Sequence, residues 1–291
     1  GSGKVTKDKQ AQVKHHLLDI IDPMEEFSVS HFQKLAFEAI DDIHSRGKTP
    51  FLVGGTALYV YSVIDNYIFS DVPPNPKRRK ELEKKTVKDL NVILSEVMSC
   101  TRRRTKSKDL RELRSNVNDE DPSTPRLDSS TRERSAQDDA SFYGLSPDDL
   151  NNPRRLIRAI EKLEAGVPVE PQKGAQKYDN VILGIDVPRD ELYKKIDQRV
   201  DERIKEGMIE EVDRLRRDGV KDEWLIRLGL EYRWITEFLQ GKWSRDEMIK
   251  RLKGAIHAFA RRQMTWFNRD KRIVWLRDQK QAQSQIKNFL N

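Results

Sequence analysis

Cysteine is almost missing from this chain: Cys100 is the one thiol in 291 residues. A single thiol excludes an intramolecular disulfide and a cysteine-built metal cluster, and it fits a reducing cytoplasm. Long apolar runs are missing too. No stretch approaches the ~20 residues that cross a bilayer as a helix, and the start carries no signal peptide, so no membrane partner is expected. Metal-ligand spacing is absent. His15 and His16 are adjacent and face different ways, and no HExxH occurs, so no protein-held metal is expected. Apolar residues are scarce, 36% against 35% charged, which predicts a sizeable exposed or extended portion. What the chain has in excess is positive charge: 55 Lys and Arg against 48 Asp and Glu, a net charge of +7. That balance favours a polyanionic partner such as nucleic acid.

The first third reads as α/β. Phe32, Leu35, Ala36, Ala39, Ile40 and Ile43 recur at helical spacing after a Ser28 or Ser30 cap, and Gly47 ends the run. "TPFLVGG" then predicts a short strand, Phe51 to Val53, and "TALYVYSVI" the helix that follows, the grammar of a parallel sheet. After the proline segment "SDVPPNP" comes a basic amphipathic helix with Leu82, Val87, Leu90, Ile93, Leu94 and Val97. From Cys100 to about Ala140 apolar residues nearly vanish. Such a stretch buries too little surface to offset ordering entropy and is expected to be disordered. A helix begins near Asn152–Pro153 and ends at Gly166. A strand follows, Val181 to Val187, and then one long helix whose apolar face is Ile196, Val200, Ile204, Met208 and Val212. Two more helices come next, the second opened by a Ser244/Glu247 capping box. "RIVWL" is a last strand before a C-terminal helix.

Several stretches have the residue types that chemistry needs. "GSGK" at residues 1–4 looks like a phosphate-binding loop, but Val5 stands where a Ser or Thr would hold magnesium, and no strand precedes it. Gly54–Gly55–Thr56 puts amides and a hydroxyl at the end of a predicted strand, where open α/β folds bind ligands. The bland alternative is a tight turn with Thr56 as a cap. Arg154, Arg155 and Arg158 share two helical turns, as an anion-binding face or a solvated one. Arg199 and Arg203 alternate with acids, and most of these charges are expected to be ordinary helix pairs; one arginine near the sheet edge can still reach a diphosphate bidentately, although spacing does not choose which. Arg261, Arg262 and Gln263 stand beside Trp266 and Phe267. Cations, an amide and aromatics together suit RNA recognition by stacking and edge hydrogen bonds, with the aromatics partly core.

Taken in order, "VKHHLLDIIDP", "FSVSHFQKLAFEAI", "RGKTPFLVGGTALYV", "RRLIRAIE", "RDELYKKIDQRVDERIKEGMIEEV", "GLEYRW" and "ARRQMTWFNRD" with "VWL" resemble the tRNA dimethylallyltransferase (tRNA isopentenyltransferase) family. The likeness covers nearly the whole chain, apart from the charged stretch and the extreme C-terminus. It implies an α/β fold: a P-loop NTPase-like parallel-sheet core, residues 1–70 and 167–291, with a helical tRNA-clamping insertion at 71–166. It implies transfer of a dimethylallyl group from dimethylallyl diphosphate to the exocyclic amine of the adenosine just 3′ of the anticodon. The target base must leave its stack to react. Mg2+ is the implied cofactor, the tRNA anticodon stem–loop the implied partner, and a monomeric cytoplasmic enzyme the implied state.

By motif, Thr56 and Arg199 take the catalytic places, Thr56 at the target nucleotide and Arg199 on the diphosphate, where it stabilises leaving charge. The implied tRNA-contacting set is Thr56, Arg79, Arg154, Arg155, Leu156, Ile157, Arg158, Leu228, Tyr232, Arg233, Arg261, Arg262 and Gln263. This chain departs from the family pattern at Ile256–His257, where Thr-Arg is usual, and at Glu231, where Gly is usual. It also lacks the family's opening GPTxSGK and D-S-x-Q segments, the latter carrying the expected general base. "GSGKVT" therefore matches a later "IGTAKPT"-like stretch, and roughly fifty preceding residues are expected by family layout, so the chain as written is expected to catalyse poorly. The competing readings are a non-catalytic tRNA-binding protein of the same fold and a P-loop small-molecule kinase.

Overall fold

The computed structural model describes residues 7–70, 72–115, 147–169 and 172–291. The GSGK start and the charged stretch from 116 to 146 lie outside the described residues. In chain order the elements are α1 (Lys7–Gln12), α2 (Val29–Ser45), α3 (Ala57–Ile64), β1 (Tyr67–Ile68), α4 (Pro76–Leu82), α5 (Val87–Ser115), α6 (Pro147–Leu150) and α7 (Pro153–Glu164). They continue with β2 (Gln172–Lys173), β3 (Ile182–Ile185), α8 (Arg189–Lys205), α9 (Met208–Arg217), α10 (Asp222–Leu228), α11 (Leu230–Leu239), α12 (Arg245–Phe267), β4 (Ile273–Leu276) and α13 (Gln279–Leu290). The fold is helix-rich with small sheets. Among the described residues no helix is long and apolar enough to cross a membrane.

The chain forms two compact units, Gly1–Asn66 with Ala175–Asn291, and Tyr67–Gly174. The crossings fall at 66/67 and 174/175 rather than 70/71 and 166/167, because β1 pairs antiparallel with β2 and takes both strands into the second unit.

In the first unit β3 and β4 pair in parallel, with Ile182 opposite Ile273 and Ile185 opposite Leu276. The parallel pairing fits the sheet grammar read from the sequence. The helical core beside it joins Val200 and Ile204 of α8, Met208 and Val212 of α9, Leu225 of α10, Ile235 of α11, and Met248 and Leu252 of α12. Local signals start the helices where expected. The Ser28 hydroxyl, not that of Ser30, accepts the His31 N–H at the head of α2. Ser244 accepts the Glu247 N–H at the head of α12. Such caps contribute about 1 kcal/mol each.

Two expectations in this unit are corrected. Phe51–Val53 is not a strand: no described strand lies beside it, so its backbone has no ladder to join, and Phe51 and Val53 are 67% and 89% exposed. The long helix after β3 is two helices. Gly207, at φ +96°, breaks it between α8 and α9. Glycine takes that left-handed conformation without steric cost, and the break still leaves Val200, Ile204, Met208 and Val212 in one core.

In the second unit α5 packs on α7. Leu90, Leu94 and Met98 meet Leu156, Ile157, Ala159, Ile160 and Leu163, with Leu82 of α4 closing the cluster. Asn152 caps α7 by accepting the N–H groups of Arg154 and Arg155. The expected disorder from Cys100 is corrected as far as Ser115, because α5 continues through it. The segment is rich in Arg, Lys, Leu and Glu, which are strong helix formers.

Candidate functional site

The glycine turn ahead of α3 is the first candidate. Thr56 occupies the N-cap position of α3 but makes no side-chain cap hydrogen bond. The residue is exposed; its carbonyl caps the helix by accepting the Tyr59 and Val60 N–H groups, while its hydroxyl is not spent on the helix. Gly55 beside it is covered by Gln263 of α12. A Cβ at Gly55 would lie 2.7 Å from Gln263 Nε2. The structure thus brings the Gly-Gly-Thr turn and the Arg-Arg-Gln segment together, which residue types alone did not show.

Further along α12, Arg261 and Arg262 are exposed and Trp266 is 49% exposed. Phe267 turns inward, its ring 6.0 Å from that of Tyr61. The division of this segment into partly core aromatics and outward polar groups holds. Beyond α12, Arg272 bridges two carboxylates. Nη1 lies 2.7 Å from Asp65 at the end of α3, and Nη2 lies 2.8 Å from Asp270. The bonds from Arg272 hold the Asp270 carboxyl well down, at about 2, against the opposing effect of burial. This clasp fixes α3, and with it Thr56, against the α12–β4 junction.

Helix α8 runs along α12 through three polar rungs. Lys253 Nζ lies 2.8 Å from Asp201, His257 Nε2 lies 2.9 Å from Asp197, and Arg261 Nη1 donates to the Tyr193 hydroxyl at 3.0 Å. The His257 ring also stacks on Tyr193, with centroids 4.0 Å apart and planes 8° apart. Arg199 is exposed on α8. At 100° per residue it lies on the side of the helix away from Asp197 and Asp201, so it does not face α12. No described contact joins Arg199 to Thr56 or Gln263.

The "GLEYRW" candidates divide. Leu228 is 49% exposed at the end of α10. Arg233 pairs with Glu237 at 3.4 Å and lies over the Trp234 ring. Tyr232 points inward to Glu211 at 3.1 Å; burial and that carboxylate push its hydroxyl up to about 12, so it stays a neutral donor. Ahead of α2, Pro23 and Glu26 hold to α10. The carbonyl of Pro23 accepts from the Trp224 indole, and Glu26 pairs with Arg227 at 2.8 Å.

In the second unit most of the candidate cations are engaged. Arg79 makes a two-pronged pair with Glu161, Nε to Oε1 at 2.8 Å and Nη2 to Oε2 at 3.0 Å. Arg158 donates to the same carboxylate at 3.2 Å and to the Val72 carbonyl at 2.9 Å. Burial pushes the Glu161 carboxyl upward, but Arg79, the Asn75 N–H and Arg158 outweigh it, and it titrates below its usual range. Arg155 pairs with Asp149. Arg154 is exposed, with no side-chain partner among the described residues. Leu156 and Ile157, expected to touch tRNA, are corrected: they are 0% and 6% exposed and form the core against α5. A residue on the apolar stripe of an amphipathic helix cannot also reach a ligand on the polar side.

Sequence reasoning missed Glu161, Arg272, Tyr193, Asp197 and His257. The four-residue steps Tyr193–Asp197–Asp201 and Lys253–His257–Arg261 were a legible signal for the α8–α12 rungs, because such steps stack on one helix face.

Residues 1–270 match the IPP transferase family. This chain belongs to that family. It is 34% identical over 278 residues to a protein named tRNA dimethylallyltransferase from Thermomicrobium roseum, covering 94% of this chain and 73% of the relative. It is likewise 34% identical over 292 residues to the tRNA dimethylallyltransferase of Carboxydothermus hydrogenoformans, covering 98% of this chain and 81% of the relative. The crystal structure of the tRNA isopentenylpyrophosphate transferase of Bacillus halodurans superposes with a TM-score of 0.59 at 30% identity, covering 99% of this chain and 80% of that one.

Magnesium is the expected cofactor of this IPP transferase. Among the described residues no three His, Cys, Asp or Glu gather as a metal site. Magnesium commonly takes only one or two carboxylates and completes its shell with water and substrate phosphates, so an ion carried by a substrate diphosphate needs no three-ligand cluster.

Proposed function

We propose that this chain transfers the dimethylallyl group of dimethylallyl diphosphate to the exocyclic amine of an adenosine in tRNA, the one just 3′ of the anticodon. The carbon–oxygen bond to the diphosphate breaks, a carbon–nitrogen bond to the amine forms, and the amine gives up a proton. The relatives named tRNA dimethylallyltransferase support the reaction class.

The observation that carries the reading to particular residues is the closure of Gln263 over Gly55 beside the uncommitted Thr56 hydroxyl. A hydroxyl and an amide on a glycine turn provide the donors and acceptors that orient a flipped base. Beside them, exposed Arg261, Arg262 and Trp266 supply charge and a stacking surface for single-stranded RNA. Arg199 serves the diphosphate and stabilises the charge left on it. In the second unit Arg154 is the arginine available to a tRNA phosphate, and the helical unit is the tRNA clamp. The parallel β3–β4 pair with its flanking helices is part of a P-loop-like α/β core. The protein acts as a monomer in the cytoplasm.

The test is transfer of label from dimethylallyl diphosphate to an anticodon stem–loop. The expected result is labelled RNA with adenosine 3′ of the anticodon and none with purine riboside there, which lacks the amine. Binding of the stem–loop without any transfer would leave a tRNA-binding protein and sink the enzyme reading.

A further inference from the structure

The buried anchors of α8 lie at one end. Val200 and Ile204 are its buried residues, both in the C-terminal half. From Arg189 to Arg199 no residue is fully buried and Leu192 and Ile196 are only half-buried, so the roll of that half rests on more than apolar packing. The other contacts that hold it are polar. His257 of α12 meets two successive turns, with Nε2 2.9 Å from Asp197 Oδ1, outside hydrogen-bond geometry, and its ring stacked 4.0 Å over Tyr193. Its side chain is 19% exposed. Lys253 and Arg261 flank it one turn away on either side, holding Asp201 and Tyr193.

We propose that His257 is a positioning residue: its double hold on Asp197 and Tyr193 sets the roll of α8 and so aims Arg199 at the diphosphate. The inference rests on the prenyl-transfer reading for the role of Arg199. Roll matters because successive helical residues diverge by 100°, and a small turn of α8 swings a long guanidinium on its far side. Ring stacking fixes the spacing and tilt of two planes, whereas apolar burial is non-directional. His257 therefore supplies an angular constraint that Val200 and Ile204 do not. It acts through Arg199 and touches no substrate itself.

The test uses inorganic diphosphate as the probe, by calorimetry, beside anticodon stem–loop binding and thermal unfolding. His257→Gln and Asp197→Asn are each expected to weaken diphosphate binding by roughly three- to tenfold, the span of coupled side-chain pairs. The double variant is expected to be no worse than either single one. His257→Arg, which places a long polar side chain beside Asp197, is expected to recover most of the loss. Stem–loop affinity is expected to stay within about twofold. A purely structural role would instead weaken both ligands together with a fall in unfolding midpoint, and that result overturns the proposal. So do wild-type diphosphate binding in His257→Gln, additive losses in the double variant, or wild-type diphosphate binding in Arg199→Gln. Wild-type protein that binds diphosphate but transfers no prenyl group fails the enzyme reading alone and leaves the His257 result standing.

Discussion

Gln263 lies directly over Gly55. A Cβ at Gly55 would come within 2.7 Å of Gln263 Nε2 and 3.1 Å of Cδ. Gly55→Ala must therefore push the Gln263 amide aside. The far end of a flexible side chain yields at little cost, so the unfolding midpoint is expected to stay near wild type. Prenyl transfer to the stem–loop is expected to fall on the order of tenfold, because displacements near 1 Å at a reacting site cost up to ~100-fold. The double variant Gly55→Ala/Gln263→Ala, free of the clash, is expected to match Gln263→Ala alone. Steady-state rates for Gly55→Ala equal to wild type would disprove a shared role for the pair.

Arg154 and Arg79 carry the same charge but different loads. Arg79 is forked onto Glu161, whose side chain is 2% exposed. Arg154 is exposed with no side-chain partner among the described residues. Arg154→Ala is expected to weaken stem–loop binding and lower the salt slope by about one, as one lost phosphate contact does, with no thermal shift. Arg79→Ala is expected to lower the unfolding midpoint. Binding titrations at several salt concentrations separate the two, and an unchanged slope in Arg154→Ala removes it from the tRNA surface.

The helices were legible in the sequence because their signals are local. Ser28, Asn152 and Ser244 cap where short polar side chains precede apolar periods. Strands were legible only with a partner. Ile182–Ile185 and Ile273–Leu276 pair with each other, whereas the equally apolar Phe51–Val53 has no described neighbour and stays outside any sheet. The period-3.6 pattern ran through Gly207 because the apolar face continues on both sides of the break. Family motifs placed Thr56 and Gln263 in the site, but only packing shows that Gln263 covers Gly55. The "RRLIRAIE" motif was read as one contact strip, although its own apolar stripe, Leu156, Ile157 and Ile160, marks a core face. The motif ends on Glu161, but the role of that carboxylate is not legible there because its partners Arg79 and Asn75 are remote in sequence.

Glu161 holds three donors at once: the Arg79 fork, the Arg158 guanidinium and the Asn75 N–H at 3.0 Å. With the Arg78–Glu164 pair at 2.7 Å beside it, this carboxylate ties α4 to α7. Glu161→Ala leaves the two arginines, each about a third exposed, without their shared anion. Removing one member of a buried pair costs 3–5 kcal/mol, and solvent reaching the arginines screens part of that. The expected loss is about 2 kcal/mol in urea unfolding, below that range because of screening. A change within experimental error would show that Leu82 and the apolar α5–α7 contact suffice.

Asp270 gives a pH signature. Its bonds from Arg272 hold the folded carboxyl at about 2, against about 3.9 for an unfolded aspartate. A depressed folded value adds stability that is fully present above the unfolded value and lost as pH falls through the folded one. Wild type should therefore exceed Asp270→Asn in unfolding midpoint at pH 6. The gap should begin to close near pH 4 and be mostly gone by about pH 2. Other carboxylates titrate in the same range, so the quantity to follow is the difference between the two proteins at each pH. A gap that stays constant down to pH 2 would mean that the Arg272 contact does not survive in solution. The clasp from Asp65 through Arg272 to Asp270 would then not be what seats α3 and Thr56.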